Sequence, residues 1–230
     1  MIRYQTVLFD ADETLLNFQK SERAALVEAL NAFGVDPDEE MISTYSKINS
    51  ATWKKLERGE ITKLQLRTAR FADFCTHYGF DWNVERLADT YLQALSRQSY
   101  LLPGALELCQ TLSHHYRLYI ITNGIAFVQH GRLDESPIRR FFKELFISDE
   151  IGAEKPSTAF FDRVIGAIPD FDAATTLVVG DSLSSDMAGG IGAGLDTCWY
   201  NPAEKPVPKG MAITHVVKTL EEILPLVLGA

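Results

Sequence analysis

The sequence predicts an α/β fold, with an open, doubly wound parallel sheet interrupted by an all-helical insertion. Short apolar runs alternate along the chain with helical patterns, whereas residues 18–99 contain helical patterns only. Uninterrupted apolar runs of this length are typical of strands covered on both faces, as in a parallel sheet. We therefore expect a core domain formed by residues 1–16 and 100–230 and a helical cap domain formed by residues 17–99.

The core elements are predicted one by one from these patterns. Six runs rich in apolar and β-branched residues predict strands at residues 6–9, 118–122, 145–148, 177–180, 197–200 and 215–217. Apolar residues at helical spacing predict core helices at residues 104–112, 160–168 and 220–227.

Four consecutive helices are expected in the insertion. Ala25, Leu26, Ala29 and Leu30 recur at helical spacing, and this pattern ends at Gly34, a residue type that commonly closes helices. The remaining three are expected over residues 37–59, 62–79 and 84–97, the second of them opening with a capping-box pattern.

Composition excludes several classes of protein. The 22 Lys and Arg against 31 Asp and Glu give a net charge of −9, which disfavours nucleic acid as a partner. No run approaches the roughly 18 apolar residues of a membrane span, and acidic residues directly after the first apolar run argue against a signal peptide. Three cysteines without a C-x-x-C pair indicate buried thiols in a reducing compartment. We expect a cytoplasmic protein with no membrane partner, either a monomer or a weak homo-oligomer.

Polar residues follow four of the predicted strands. In a parallel sheet the carboxyl ends of the strands open on one edge, and ligands bind there. The side chains expected to meet at this edge are Asp10 and Asp12, Thr122 and Asn123, Lys155, and Asp181 with Asp186.

Such a group of residues has a chemical logic. Asp10, Asp12 and Asp181 cannot share a small volume as anions without a counter-charge, and an all-oxygen site suits Mg²⁺. A phosphate would then be bound by the metal and by the Thr122 hydroxyl, the Asn123 backbone N–H and the Lys155 ammonium. Positive charge focused on a phosphoryl group is the main catalytic device for its transfer, and a carboxylate is a competent nucleophile.

These four blocks, in this order, resemble the haloacid dehalogenase superfamily of phosphohydrolases over nearly the whole chain. The matching segments are Asp10-x-Asp12-x-Thr14, Thr122, Lys155-Pro156, and Gly180-Asp181 with Asp186. The resemblance implies a Rossmann-like core, and the helical insertion lies where this family places its smaller cap.

Residue roles are implied by the same resemblance. Asp10 would be the nucleophile, and Asp12 would be the general acid for the leaving oxygen and then the base for water. Mg²⁺, for which Mn²⁺ or Co²⁺ could substitute, would be held by the Asp10 carboxylate, the Asp12 main-chain carbonyl and Asp181. Thr122 and Lys155 would bind phosphate. Asp186 would orient Lys155 or a metal-bound water.

Two residues of the first motif refine the interpretation. Asp12 favours phosphate chemistry, because family members that remove halogen lack this second acid. Glu13 departs from the family pattern, which commonly has Gly before the threonine. We expect Glu13 to adopt an ordinary φ, so that the turn avoids the left-handed conformation.

A subgroup and two alternatives remain to be compared. The segments Asp-Ala-Asp-Glu-Thr-Leu, Ile-Thr-Asn-Gly and Glu-Lys-Pro resemble pyrimidine 5′-nucleotidases, which implies hydrolysis of nucleoside monophosphates such as dUMP, dTMP and UMP. One alternative is a sugar-phosphate phosphatase or phosphomutase with the same site. The other is a signalling receiver module, which the long helical insertion after the first strand disfavours. Arg132, in the segment after Asn123, is a weaker candidate for a functional role.

Overall fold

A computed structural model of the protein describes residues 4–228, which contain a six-stranded sheet. The strands are β1 (Thr6–Phe9), β2 (Arg117–Thr122), β3 (Phe142–Ile147), β4 (Thr176–Gly180), β5 (Asp196–Tyr200) and β6 (His215–Val217). Every neighbouring pair is parallel, and the order across the sheet is β3-β2-β1-β4-β5-β6. The predicted doubly wound parallel sheet is confirmed.

The chain divides into two compact units, which are the described parts of Met1–Phe18 with Ser99–Ala230, and Gln19–Gln98. The helices of the second unit are α1 (Phe18–Ala32), whose first residue belongs to the sheet unit, α2 (Glu39–Glu57), α3 (Lys63–Tyr78) and α4 (Val84–Ser96). The sheet unit contains α5 (Ala105–Ser113), α6 (Ala126–Asp134), α7 (Ser148–Ile151), α8 (Thr158–Ala167), α9 (Ala188–Gly192) and α10 (Ile223–Leu228).

Alternation of side chains along β1 divides the core of the sheet unit into two layers. Val7 and Phe9 lie in a cluster that includes residues of α5 and α10, whereas Leu8 lies in a cluster with residues of α8. All three side chains are fully buried, as expected for a central strand covered on both faces. The uninterrupted apolar run of β1 therefore follows from its position in the sheet.

The strand order fixes where a ligand can bind. Strands β2 and β3 lie to one side of β1, and strands β4, β5 and β6 lie to the other. A crevice opens at such a switch point, at the carboxyl ends of the strands. Phe9 at the end of β1 pairs with Val179 of β4 and Ile120 of β2, so the residues after these strands share one edge.

The helical unit forms through local signals that the sequence displays. Thr62 and Gln65 make the predicted capping box at the start of α3, and Gly79 ends that helix with φ at 70°. Asp38 caps α2 by accepting a 2.8 Å hydrogen bond from the Met41 backbone. In the interior the Tyr45 ring stacks on the Phe71 ring at a centroid distance of 5.2 Å.

Some element boundaries differ from the prediction. Strand β3 begins at Phe142, earlier than predicted. Its second and third residues, Lys143 and Glu144, are exposed and interrupt the apolar pattern on which the prediction was based, and Ser148 belongs to α7 rather than to the strand. The last helix begins at Ile223, after a turn in which the Lys218 backbone donates to Glu222. Helices α6, α7 and α9 were not predicted. Between residues 4 and 228, no helix combines the length and apolar character needed to cross a bilayer.

Candidate active site

Asp10 lies directly after β1, at the switch point of the sheet. Its backbone N–H continues the strand pairing by donating to the Val179 carbonyl at 2.8 Å. Its carboxylate is 7% exposed and accepts hydrogen bonds on both oxygens, from Lys155 Nζ at 2.6 Å and from the Thr14 hydroxyl at 3.2 Å. The most buried carboxylate of the first motif is therefore held in a fixed orientation.

Lys155 is the cation that meets Asp10. Its buried ammonium donates to Asp10 Oδ1 and Asp186 Oδ1, each at 2.6 Å, and to the Ile121 carbonyl at 2.8 Å. The side chain of Asn123 binds the Lys155 backbone twice, accepting from its N–H at 2.8 Å and donating to its carbonyl at 2.9 Å. Lys155 is thus fixed at both its backbone and its ammonium group.

A π-helical turn, Leu183–Met187, brings Asp186 back towards the end of β4. Asp186 is fully buried, and its second oxygen accepts from the Ser182 backbone at 3.1 Å. A Cβ at Gly180 would lie 2.3 Å from Asp186 Oδ2, so only glycine leaves room for this carboxylate. The glycine before Asp181 therefore has a steric role.

Three carboxylates converge on one point. Oxygens of Asp10, Asp181 and Asp186 all lie within 4.8 Å of one another. Within residues 4–228, no donor of the protein contacts the Asp181 carboxylate, although the Asp181 carbonyl accepts from the Trp199 indole at 2.8 Å. Among the cations of the described residues, Lys155 alone contacts this group, so the negative charge is only partly compensated.

The pKa values reflect this crowding. Burial raises the pKa of Asp10 well above its ordinary value, and the charges of Asp186 and Asp181 raise it further, whereas Lys155 opposes the shift. Burial followed by repulsion from Asp186 raises the pKa of Asp181 to about 7. Burial works against the charged form of Lys155, but Asp10 and Asp186 outweigh it and raise the pKa of the ammonium.

Asp12 lies outside the carboxylate group and belongs to a second network. Arg132 Nη1 donates to Asp12 Oδ1 at 2.5 Å, and Gln129 Nε2 donates to Asp12 Oδ2 at 2.9 Å. Gln129 Nε2 also donates to the Thr122 hydroxyl at 2.6 Å. The predicted site residues therefore fall into two adjoining clusters, one around Lys155 and one around Gln129.

Two members of the second network were missed or given little weight. Gln129 was not predicted, and Arg132 was only a weaker candidate. Both lie on α6, which follows β2 and Thr122, and they are three residues apart, a spacing that places them on one face of a helix. Recognising α6 as a helix would have directed attention to this face.

Glu13 corrects an expectation. The structure gives it φ at 58°, in the left-handed region, so the expectation of an ordinary φ is wrong. The turn after β1 closes through hydrogen bonds from Leu15 and Leu16 to the Ala11 carbonyl and from Glu13 to the Leu16 carbonyl. This closure imposes the backbone conformation for which the family commonly uses glycine, and Glu13 carries its steric cost.

The carboxylate group fits a divalent cation. Three carboxylates with one ammonium leave an excess of negative charge, and oxygen is the donor that Mg²⁺ prefers. The Asp12 carboxylate, bound to Gln129 and Arg132, is not part of this group. Any contribution from Asp12 to a metal would therefore come from its main-chain carbonyl, the atom that the motif resemblance implies.

The fold and the site together define a hydrolase with a buried aspartate at the switch point of a parallel sheet. Residues 7–200 match the family described as haloacid dehalogenase-like hydrolase. The chain belongs to this family, as its motifs predicted, and is a phosphoric monoester hydrolase.

Three relatives match most of the chain. YfnB of Bacillus subtilis (strain 168), described as a HAD-hydrolase, is 37% identical over 223 residues, covering 97% of this chain and 95% of YfnB. PynA of Streptococcus pneumoniae, named a pyrimidine 5′-nucleotidase, is 38% identical over 200 residues, covering 86% and 84%. YjjG of Escherichia coli (strain K12), also named a pyrimidine 5′-nucleotidase, is 34% identical over 224 residues, covering 96% and 97%.

A solved structure agrees with the fold. The crystal structure of YfnB bound to magnesium, which revealed an interdomain movement in that protein, superposes with a TM-score of 0.93 at 36% identity. It covers 98% of this chain and 99% of the YfnB chain. The prediction of a haloacid dehalogenase fold resembling the pyrimidine 5′-nucleotidase subgroup is confirmed.

Proposed function

We propose that the protein is a magnesium-dependent 5′-nucleotidase that hydrolyses pyrimidine nucleoside monophosphates, such as dUMP, dTMP and UMP, to nucleoside and phosphate. The observation that carries this proposal is the convergence of Asp10, Lys155 and Asp181 at the switch point of the sheet. The similarity to PynA and YjjG, over most of the chain, supports the choice of substrate class.

In the first half-reaction, the Asp10 carboxylate attacks phosphorus, and the ester P–O bond breaks as an aspartyl-phosphate forms. Asp12 gives a proton to the departing nucleoside oxygen. In the second half-reaction, water attacks phosphorus while Asp12 takes up its proton, and Asp10 and orthophosphate are released. General acid–base help of this kind contributes typically about 10²–10⁴-fold.

Positive charge and hydrogen-bond donors hold the phosphoryl group. The three hydrogens of the Lys155 ammonium are bound to Asp10, Asp186 and the Ile121 carbonyl, so Lys155 attracts the phosphate oxygens through its charge. The Thr122 hydroxyl and the Asn123 backbone N–H donate hydrogen bonds to these oxygens, and Asp186 keeps Lys155 oriented through their 2.6 Å contact. The Asp10 carboxylate, the Asp12 main-chain carbonyl and Asp181 would hold Mg²⁺, which would supply positive charge to offset the repulsion between the nucleophile and the phosphate.

We assign the two parts of the chain different tasks. Residues 1–16 and 100–230 carry the chemistry, and residues 17–99 act as a cap that excludes bulk water and opens for product release. The buried, unpaired thiols of Cys75, Cys109 and Cys198 fit a reducing compartment, so we place the enzyme in the cytoplasm.

A phosphate-release screen tests the proposal. The purified chain is assayed with Mg²⁺, Mn²⁺ or Co²⁺, and with EDTA, over nucleoside monophosphates and hexose phosphates. We expect preference for dUMP, dTMP and UMP, and loss of activity with EDTA. A preference for hexose phosphates would favour a sugar-phosphate phosphatase, and activity that survives chelation would contradict the metal requirement.

The Asp10→Asn variant is the control in this screen. It keeps the size of the side chain but removes the anionic nucleophile, so we expect no measurable turnover from a protein whose circular dichroism matches the wild type. Activity close to wild type in this variant would falsify the assignment of Asp10 as nucleophile.

A further inference from the structure

We propose that Gln129 is a positioning residue that orients Asp12 and Thr122 together, with Arg132 completing the support of Asp12. The inference rests on the proposed function, in which Asp12 is the acid–base group and Thr122 a phosphate donor. It adds two residues of α6 that the four motifs do not contain.

Both hydrogens and the oxygen of the Gln129 amide have hydrogen-bond partners of the matching kind. Nε2 donates one hydrogen to Asp12 Oδ2 at 2.9 Å and the other to the Thr122 hydroxyl at 2.6 Å, while Oε1 accepts from Arg132 Nη1 at 3.2 Å. Rotating the amide by half a turn would place its carbonyl against the Asp12 carboxylate and its NH₂ against a guanidinium. The assignment of the two amide atoms is therefore fixed by the network.

The backbone around Gln129 is shaped to admit its side chain. A Cβ at Gly124 would lie 2.5 Å from Gln129 Cγ and 2.6 Å from its Nε2. Gln129 is 1% exposed, and its amide reaches Asp12 from α6 across this glycine. A side chain at position 124 would push the amide off its partners, so the glycine of the Thr-Asn-Gly segment serves Gln129.

Gln129 gives the Thr122 hydroxyl a defined direction. The hydroxyl oxygen accepts from Gln129 Nε2 and from the Gly124 backbone N–H, the latter at 3.2 Å. A hydroxyl has two acceptor positions and one hydrogen. With both acceptor positions in use, the hydrogen of Thr122 is left to donate, which is what a phosphate oxygen requires.

Arg132 and Gln129 each donate to a different oxygen of Asp12. Arg132 is fully buried, and its guanidinium lies 5.7 Å from the Phe18 ring centroid while Nη1 donates to Asp12 Oδ1. Two donors on two oxygens fix the plane of the carboxylate as well as its position. The acid–base group is therefore oriented by two side chains that are not among the proposed phosphate ligands.

The kinetic test compares two leaving groups in Gln129→Met, which keeps the length of the side chain and loses both donors. We measure kcat/KM, which reports the steps up to departure of the leaving group. With dUMP we expect a loss of about 10- to 100-fold, and with p-nitrophenyl phosphate a clearly smaller loss, because p-nitrophenol leaves with little help from an acid. Equal losses for the two substrates, or none, would overturn the proposal.

Four further variants separate positioning from folding. Gln129→Glu keeps the shape and also removes both donors, so it should show the same selective loss. Arg132→Lys should retain more dUMP activity than Arg132→Met, because lysine keeps one charged donor. Gln110→Met makes the same chemical change on the exposed face of α5 and should leave both substrates unaffected. Full dUMP activity in Arg132→Met would contradict the role of Arg132.

A second readout does not depend on activity. In a crystal structure of Gln129→Met, we expect the side chains of Asp12 and Thr122 to leave the orientations described above. Unchanged orientations in that structure would overturn the positioning role. A wild-type protein that releases no phosphate from any monoester would instead remove the proposed function, and the structure of the variant would still decide the role of Gln129.

Discussion

At the scale of single residues, Glu13 and Gly180 show two ways in which a backbone position serves the site. Glu13 adopts φ at 58°, which costs a residue with a Cβ roughly 1–2 kcal/mol. A glutamate does not predict this conformation, because the turn that imposes it is closed by hydrogen bonds between neighbouring backbone groups. The motif indicated a site at this position, but the conformation of Glu13 could not be predicted from glutamate itself.

The close packing at Gly180 predicts that Gly180→Ala lowers both activity and stability. Gly180→Ala places a Cβ within 2.3 Å of Asp186 Oδ2, and Asp186 cannot retreat without breaking its bonds to Lys155 and Ser182. We expect phosphatase activity to fall about 100-fold, because displacing a group that holds Lys155 misplaces the lysine. We also expect the free energy of unfolding to fall by about 1–3 kcal/mol through overpacking. Phosphate release and urea unfolding measure the two effects.

The matched control is Gly166→Ala. Gly166 lies in α8, and a Cβ there meets nothing within 4 Å. Because alanine is a better helix former than glycine, this variant should gain up to about 1 kcal/mol of unfolding free energy and keep full activity. If both variants behaved alike, the steric role of Gly180 would be wrong.

At the scale of elements, a buried hydrogen-bond network joins three helices of the helical unit. Asn49 on α2 donates to Glu22 on α1 at 2.6 Å and accepts from Arg70 on α3 at 2.8 Å. All three residues are buried, and the Arg70 guanidinium lies 5.2 Å from the ring centroids of both Phe71 and Tyr91. A carboxylate and a guanidinium are thus linked through one amide in an apolar interior.

This hydrogen-bond network predicts a large loss of stability from a small substitution. Asn49→Ala removes one bond from each of two buried charged groups, so we expect the free energy of unfolding of the whole chain to fall by about 3 kcal/mol. Ser50→Ala, at the exposed neighbour on the same helix, should change it by less than about 0.5 kcal/mol. Urea denaturation followed by circular dichroism measures both. If Asn49→Ala lost no more free energy of unfolding than Ser50→Ala, the hydrogen-bond network would not be stabilising.

The elements that the sequence predicted well are those whose signal is local. Strand β1 consists of buried Thr6 and the apolar run Val7–Phe9 because it is covered on both faces, and the Thr62–Gln65 capping box is complete within one turn. The prediction of strand β3 began too late because Lys143 and Glu144, near the start of the strand, are exposed. Helix α6 was missed because its first turn lacks a side-chain cap and Gly131 interrupts its pattern.

At the scale of the whole molecule, the same distinction separates the predicted part of the site from the missed part. Asp10 and Asp181 directly follow strand ends, and Lys155 follows β3 after the short helix α7, so the topology of a parallel sheet was enough to predict that they meet at one edge. Gln129 and Arg132 reach Asp12 from the side of a helix, and that approach depends on packing. Which glutamine faces the site cannot be read from strand order alone.

The three cysteines provide a test of how well the whole fold protects its interior. Cys75, Cys109 and Cys198 are unpaired and buried, and burial raises the pKa of both Cys109 and Cys198 to about 12. Since the thiolate is the form that reacts with alkylating reagents, neither should be labelled by iodoacetamide in the native protein at pH 9. In guanidinium chloride, where thiols have a pKa of about 8.5, all three should be labelled. Mass spectrometry counts the adducts.

The same shifts set the direction of a pH effect on stability. Between the pKa of an unfolded thiol and about 12, the unfolded state has lost a proton that the folded state retains at Cys109 and Cys198. The unfolded state then binds fewer protons, so the free energy of unfolding falls as pH rises, by up to ~1.4 kcal/mol per pH unit for each thiol. A Cys109→Ala, Cys198→Ala double variant should show a shallower fall above pH 9. Parallel pH profiles for the variant and the wild type would show that these thiols ionise as readily inside the fold as outside it.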